Sequence, residues 1–180
     1  MNGLFLVQMS GLPGSGKSTI AKAIAKNTGA IVIDLDIVKS SILESFKGDI
    51  DFKLAGKVSY DILFSLADYY LSQERNVIID TPCGYTELLE RGNSLCSKYN
   101  ANYKYVEAYI LNLEEINQRL KNRERHISQI FQVDSEITNN DDYRKLINIM
   151  KRPNNIKYLT VDTSQPLESY LEKVVNYLFI

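Results

Sequence analysis

The apolar positions of this chain follow two alternating rhythms, short continuous runs and longer stretches of helical period. Residues 4–9 are a near-continuous apolar run closed by Gly11, the mark of a strand buried on both faces. Residues 17–27 then place Ile20, Ala21, Ile24 and Ala25 at helical spacing, and Gly29 offers a C-cap. The same alternation predicts strands at 30–34, 76–80, 105–111 and 158–162. Between them it predicts a helix after Asp36, with Ile37, Val38, Ser41 and Ile42 on one face. A long helix follows over 50–73, with Leu54, Val58, Ile62, Ala67 and Leu71 recurring near the helical period. Further helices are predicted over 87–99, 113–123 and 167–178. One stretch, 124–142, is polar with scattered apolar residues and is expected to be mobile. Strands that are apolar throughout and alternate with helices imply an α/β fold, a parallel sheet covered by helices on both faces.

A chain of 180 residues is long enough for one domain with a substantial core, so residues 1–180 are read as a single domain. Apolar residues make up 44% and charged residues 24%, which is ordinary for a globular protein. The 21 basic and 22 acidic side chains leave a net charge of -1, so nucleic acid is not expected as a partner. No apolar run reaches the roughly 18–20 residues that span a membrane, and the first residues do not read as a signal peptide. Cys83 and Cys96 are too few for a disulfide framework or a zinc site. They read as reduced thiols in a cytoplasmic protein.

The segment Gly11-Leu12-Pro13-Gly14-Ser15-Gly16-Lys17-Ser18, followed by Thr19, fits G-x-x-x-x-G-K-[ST] in full. Its glycines allow positive φ and bring backbone N–H groups around an anion. The helix that begins near Lys17 points its positive end at the same place. Lys17 can reach the β- and γ-phosphates of ATP, and the Ser18 hydroxyl suits Mg2+, a hard cation. Typical residue frequencies produce the full pattern by chance in well under about one per cent of chains this long. Here it also lies between a buried strand and an amphipathic helix, the context it requires.

The rest of the chain bears on what receives the phosphate. A guanine-reading Asn-Lys-x-Asp motif is absent, as is the Leu-Ser-Gly-Gly-Gln signature of transporter ATPases. Asp34 and Asp36 follow the second predicted strand and Asp80 ends the third, where a parallel sheet opens its ligand crevice. Asp80 reads either as turn chemistry or as a partner of Mg2+ and its water shell. Asp36 reads either as the N-cap of its helix or as the group that takes the proton from an acceptor hydroxyl. Arg119 and Arg123 lie four apart on one helical face, with Lys121 and Arg125 beside them. They form either a solvated basic face or a lid that neutralises charge on the transferred phosphoryl group. His126, the single histidine, reads as a surface or lid residue, Cys83 as a residue near the crevice, and Arg91 as a helix-surface residue.

With those residues in place, the chain resembles the small P-loop kinases of the AAA-type ATP-binding group. That group includes chloramphenicol phosphotransferase, zeta toxins and the kinase domain of polynucleotide kinase. The resemblance rests on Gly11 to Thr19, Asp36-Ile-Val-Lys39, Val77-Ile-Ile-Asp80-Thr-Pro, Arg119-Leu-Lys-Asn-Arg123 and Val161-Asp162-Thr163. It implies a P-loop NTPase three-layer sandwich whose five-stranded parallel sheet runs 2-3-1-4-5, nucleotide-kinase-like, with a short lid within 119–142. It also implies ATP with Mg2+ and phosphoryl transfer to a hydroxyl, with Asp36 at the family's catalytic aspartate and Arg123 at its lid arginine, Arg119 close behind. Where the family often has arginine three residues after that aspartate, this chain has Lys39, which keeps the charge without the bidentate fork.

The sequence reading is therefore an ATP-dependent kinase acting on a hydroxyl of a small-molecule or nucleotide-like acceptor. The roles are Lys17, Asp36, Arg119 and Arg123 in catalysis, residues 11–19 with Arg123 around the nucleotide, and Ser18 with Asp80 at the metal. A nucleoside or nucleotide kinase and a non-catalytic nucleotide-dependent regulator are the competing readings. The sequence leaves the acceptor and the oligomeric state open.

Overall fold

The computed structural model of the protein describes residues 3–47 and 49–179. Five strands form one parallel sheet in the order β2-β3-β1-β4-β5. They are β1 (Phe5–Ser10), β2 (Ile31–Asp34), β3 (Val77–Asp80), β4 (Asn102–Tyr109) and β5 (Leu159–Asp162). The helices among the described residues are α1 (Lys17–Thr28), α2 (Leu35–Ser45), α3 (Phe52–Ser72), α4 (Thr86–Tyr99), α5 (Leu113–Asn122), α6 (Asn140–Ile149) and α7 (Glu168–Leu178).

β1 is buried at every position because it is central, with β3 on one side and β4 on the other. On one face Leu6, Val77, Ile79 and Tyr105 pack with α3 and α4 through Leu63, Phe64 and Leu88. On the other, Phe5, Val7, Ile78 and Val106 pack with α1 and α7 through Ile20, Ile24, Val174 and Leu178. Removing a buried aliphatic side chain from water stabilises by about 1.5–3 kcal/mol, so these two layers fix where each strand ends. A third cluster joins α5 to α6 through Ile110, Ile116, Leu120, Val133 and Tyr143.

The predicted sheet order and fold class are those observed, with local differences. β4 begins at Asn102, earlier than the apolar run suggests, because Asn102, Tyr103 and Lys104 pair with Phe5, Leu6 and Val7 although their side chains are partly exposed. The strand also ends at Tyr109, since Asn112 caps α5 and the chain must turn before it. On α3 the buried face is Ala55, Ser59, Leu63, Phe64, Ala67 and Leu71, whereas Leu54 and Ile62 are exposed. The small residues at 55 and 59 let the helix lie close, a placement that periodicity alone shifts by one position. The stretch expected to be mobile, 124–142, reaches α6 at Asn140, a helix the sequence reading does not include. Asn139 caps α6 by accepting from Asp141 N and Asp142 N.

Candidate active site at the phosphate loop

The loop between β1 and α1 turns on three glycines with positive φ: Gly11 at 131°, Gly14 at 82° and Gly16 at 88°. A Cβ on Gly11 would collide with the Ala108 carbonyl and the Ser15 hydroxyl, so only glycine fits there. Gly16 also occupies the N-cap position of α1 and supplies no side-chain cap. The first N–H groups of α1 are thus left for an anion, where the helix dipole favours one. Lys17 is buried, and among the described residues it enters no ion pair. With Asp80 near but not in ion-pair contact, the ammonium lines a cavity at the loop, and a phosphate placed there would pair with it directly.

A cavity of about 410 Å³ opens from this loop, lined by Gly14, Gly16, Lys17, Ser18 and Thr19 on one side and by Arg119, Arg123, Thr163, Gln165, Leu167 and Tyr170 on the other. Away from the loop its wall is apolar and amide-bearing, from Leu167, Tyr170 and Gln165. A larger opening of about 870 Å³, between the start of α5 and residues 138–140, contains none of the loop residues.

Thr163 braces the loop from behind. Its hydroxyl donates to the Ser15 carbonyl at 2.8 Å in a fully buried bond, and its N–H donates to Tyr109 O at 2.9 Å. Arg119 is fixed on the same residue: Nη2 donates to Thr163 O at 2.7 Å and to Glu115 Oε1 at 2.7 Å, and Nη1 reaches Thr163 Oγ1 at 3.3 Å. Arg123, just beyond α5, donates from Nη2 to Ile130 O at 3.0 Å, while its Nε is buried without a partner among the described residues. Burial lowers the guanidinium pKa, and nearby Asp36 partly restores it.

The acidic residues meet at the C-terminal ends of β2 and β3, where Asp34 and Asp80 are register partners. Asp34, not Asp36, is the N-cap of α2: its Oδ1 accepts from Asp36 N at 2.8 Å. The capping alternative for Asp36 is thereby corrected, and the Asp36 carboxylate is free for other partners. It finds them in a segment far along the chain, with Gln129 Nε2 donating to Oδ2 at 2.7 Å and Ser128 Oγ lying 3.3 Å from Oδ1. Asp80 is buried, with Oδ1 unpartnered. Burial pushes its carboxyl above the ordinary aspartate range, and the Lys17 charge and the Ser18 hydroxyl pull it partly back.

The Asp80 carboxylate and the Ser18 hydroxyl make a donor set that a magnesium ion would suit. Among the described residues no cluster of three or more His, Cys, Asp or Glu side chains could hold a metal. Mg2+ needs no such cage, because it keeps several waters and takes one or two protein oxygens together with phosphates. An orphaned buried carboxylate oxygen beside a serine hydroxyl is a donor set of that kind.

Around Asp36, Lys39 sets its Nζ 3.3 Å from the centroid of the Phe52 ring, and burial lowers its pKa although Asp36 opposes the shift. Tyr60 OH lies 3.4 Å from Thr81 Oγ1, and Tyr85 meets the Tyr60 ring edge-on. Cys83, expected near the crevice, is fully buried in the core beneath α3 and α4, and burial pushes its thiol up to about 12. Arg91 pairs with Asp61 at 2.9 Å on the helix surface, as expected. His126 is exposed.

Several site residues carry no sequence signal. Ser128 and Gln129 lie in the unpatterned stretch, and Gln165, Leu167 and Tyr170 belong to a loop and helix start with no motif. Glu107 is another: buried on β4, it takes a bidentate pair from Arg152, Nη2 to Oε1 at 2.6 Å and Nε to Oε2 at 2.8 Å. With Lys151 N bonded to Cys83 O and Tyr105 OH to Lys151 O, this pair straps the segment after α6 to β3 and β4.

A family model described as AAA domain matches residues 6–140. No curated protein sequence matches the chain. Among solved structures, a candidate kinase from Chloroflexus aurantiacus is similar with a TM-score of 0.76 at 19% identity, over 98% of this chain and 97% of that one. A sugar kinase from Janibacter sp. HTCC2649 aligns with a TM-score of 0.68 at 20% identity, covering 97% and 94% of the two chains. The Mycobacterium tuberculosis APS kinase in complex with AMPPNP and APS aligns with a TM-score of 0.64 at 17% identity, over 99% of both chains. At these identities the likeness is one of fold, that of the P-loop kinases.

Proposed function

The chain belongs to the AAA domain family, and from that premise we propose that it is an ATP-dependent kinase that transfers the γ-phosphoryl group to a hydroxyl of a small-molecule or nucleotide-like acceptor. The observation that carries this reading is Lys17, without an ion pair at the head of α1, in a cavity it shares with Arg119 and Arg123, with Asp36 near enough to Arg123 to favour its charge. Residues 11–19 hold the phosphates through backbone N–H groups, with Lys17 on the β- and γ-phosphates. The nucleoside lies toward Arg119, Leu167 and Tyr170. Ser18 and Asp80 hold Mg2+, which neutralises phosphate charge when bound.

In the transfer step, Asp36 orients the acceptor hydroxyl and takes its proton. The acceptor oxygen forms a bond to the γ-phosphorus as the bond to the bridging oxygen of the β-phosphate breaks, and ADP leaves. Arg123, which lines the cavity, brings its guanidinium charge to the transferred group, while Arg119, held by Glu115 and Thr163, keeps the cavity wall in place. A lid within residues 119–142 belongs to the one domain read for residues 1–180. Cys83 and Cys96, free and buried, suit a reducing compartment such as the cytoplasm. No described helix is long and apolar enough to cross a membrane.

A nucleoside or nucleotide kinase differs from this reading only in its acceptor. A purely regulatory nucleotide binder would have no use for a carboxylate held beside the lid arginine. The test is ADP formation on a panel of nucleosides, nucleotides, sugars, antibiotics and 5′-hydroxyl oligonucleotides, with Asp36→Asn alongside. Acceptor-dependent ADP release that Asp36→Asn abolishes is the expected result. Tight ATP binding with no phosphorylation of any acceptor would sink the kinase reading.

A further inference from the structure

The bonds to the Asp36 carboxylate come from an unexpected quarter. Ser128 and Gln129 lie on a segment without helix or strand, yet several hydrogen bonds bring it onto one turn of α2. Gln129 is oriented rather than loosely placed: its Oε1 accepts from His126 N at 3.2 Å, so its amide N–H faces Asp36 Oδ2. Ser128 is held on both sides by the buried Ser40, whose Oγ donates to Ser128 Oγ at 2.9 Å and accepts from Ser128 N at 3.2 Å. The Ser128 hydroxyl is thereby aimed at Asp36, 3.1 Å from its carbonyl and 3.3 Å from Oδ1. At its other end the segment is tied to Ile130 O by Arg123, a wall of the nucleotide cavity. One carboxylate oxygen of the proposed base is therefore bonded by Gln129, the other lies within reach of a Ser128 hydroxyl shared with the Asp36 carbonyl, and the lid is anchored from the nucleotide side.

A general base beside a bound γ-phosphate has a hazard, because water can take the acceptor's place. We propose that Ser128 and Gln129 are positioning residues that latch the Asp36 carboxylate against water until an acceptor hydroxyl displaces them. This rests on the kinase reading of Asp36. In the unwanted reaction a water oxygen bonds to the γ-phosphorus and the bond to the β-phosphate bridging oxygen breaks. One water proton passes to Asp36 and then to solvent, leaving ADP and inorganic phosphate. A latched carboxylate has the lone pairs that face the lid taken up. Its orientation is held by Gln129 and its basicity lowered by that donor, so it activates such a water poorly. An acceptor held by its own contacts can replace the Gln129 amide at Oδ2 with its hydroxyl, one donor for another.

The test needs no acceptor. Phosphate release from Mg·ATP is measured for the full chain, for Ser128→Ala/Gln129→Ala, and for that pair combined with Asp36→Asn. The hydrogen bond from Gln129 to a charged group and the shared Ser128 contact are removed, so the unlatched variant is expected to hydrolyse ATP about tenfold faster. Adding Asp36→Asn returns the rate to that of the unaltered protein or below. Gln129→Met, which keeps the length of the side chain without an N–H donor, raises the rate in the same direction. A merely structural contact would lower the rate or leave it, and affinity for a fluorescent ATP analogue checks that the phosphate loop is intact in each variant. Unlatched variants no faster than the unaltered protein overturn the latch, as does an increase that Asp36→Asn fails to remove. Leakage through Asp36 in a protein that phosphorylates nothing on the acceptor panel would keep the latch and reject the kinase reading. Acceptor phosphorylation without any leak would do the reverse.

Discussion

Replacing Thr163 by valine keeps the shape of the side chain and deletes the one hydroxyl that braces the phosphate loop. In the folded protein that hydroxyl donates to the Ser15 carbonyl at 2.8 Å, in a buried setting where no other donor among the described residues bonds that carbonyl. It also receives Arg119 Nη1 at 3.3 Å, but Arg119 retains its 2.7 Å bonds to Thr163 O and Glu115. The loss is therefore dominated by one buried carbonyl left without a donor, about 1–3 kcal/mol. For a domain of this size each kcal/mol shifts Tm by about 2–4 °C, so a fall of about 4–8 °C is expected at the middle of that range. Because the carbonyl left without a donor belongs to the loop itself, ATP affinity should fall as well, up to about tenfold if about 1.4 kcal/mol is felt in the bound state. Thermal unfolding with and without Mg·ATP, together with titration of a fluorescent ATP analogue, measures both. Thr163→Ser keeps the hydroxyl and loses only the methyl that packs near Gly16, and it should remain close to the unaltered protein. If Thr163→Val left both Tm and ATP affinity unchanged, the bracing argument would be refuted.

Three further outcomes follow from the same geometry. Gly11→Ala should destabilise by more than about 3 kcal/mol, read as loss of the cooperative melt near its usual temperature, because the new Cβ meets the Ala108 carbonyl at a φ that suits glycine. Burial raises the Asp80 carboxyl, so the folded state holds that proton more readily than the unfolded chain, and the group's contribution to stability is lost as pH rises through its folded value. Asp80→Asn should thus raise the Tm of the ligand-free protein at neutral pH, yet abolish the Mg2+-dependent part of ATP binding, a part that in the unaltered protein fades on acidification at a pH above the ordinary aspartate range. Cys83 and Cys96, with thiols pushed up to about 12 by burial, should resist a thiol reagent at pH 8 in the native state and both react after denaturation.

The apparent conflict between stability and function at this site has one cause. Lys17 and Asp80 are buried with charges or oxygens left unsatisfied by the protein itself, which weakens the ligand-free fold. The same unsatisfied groups gain most when a metal-nucleotide supplies the missing partners. Raised stability on adding Mg·ATP is what such an arrangement produces, and a ligand-free protein of modest stability is its counterpart.

The sequence by itself determined the frame. Continuous apolar runs separated by helical periods require a parallel sheet between helices, and the pattern from Gly11 to Thr19 can be satisfied only where a strand hands over to a helix. The glycine loop and the helix start at Lys17 are local structure, encoded within nine consecutive residues, and were legible for that reason. The order of the strands was legible only through the resemblance, because pairing partners such as Ile31 and Val77 are far apart in the chain. What tertiary structure alone decided is which polar groups meet. Asp34 and Asp36 are indistinguishable as letters, and only the turn into α2 makes the first a cap and leaves the second available. Ser128 and Gln129 have no period and no motif, yet folding brings them 92 and 93 residues back along the chain to the Asp36 carboxylate. Periodicity reports how a segment meets the core, whereas a hydrogen bond between distant segments depends on distances and angles that no local pattern carries.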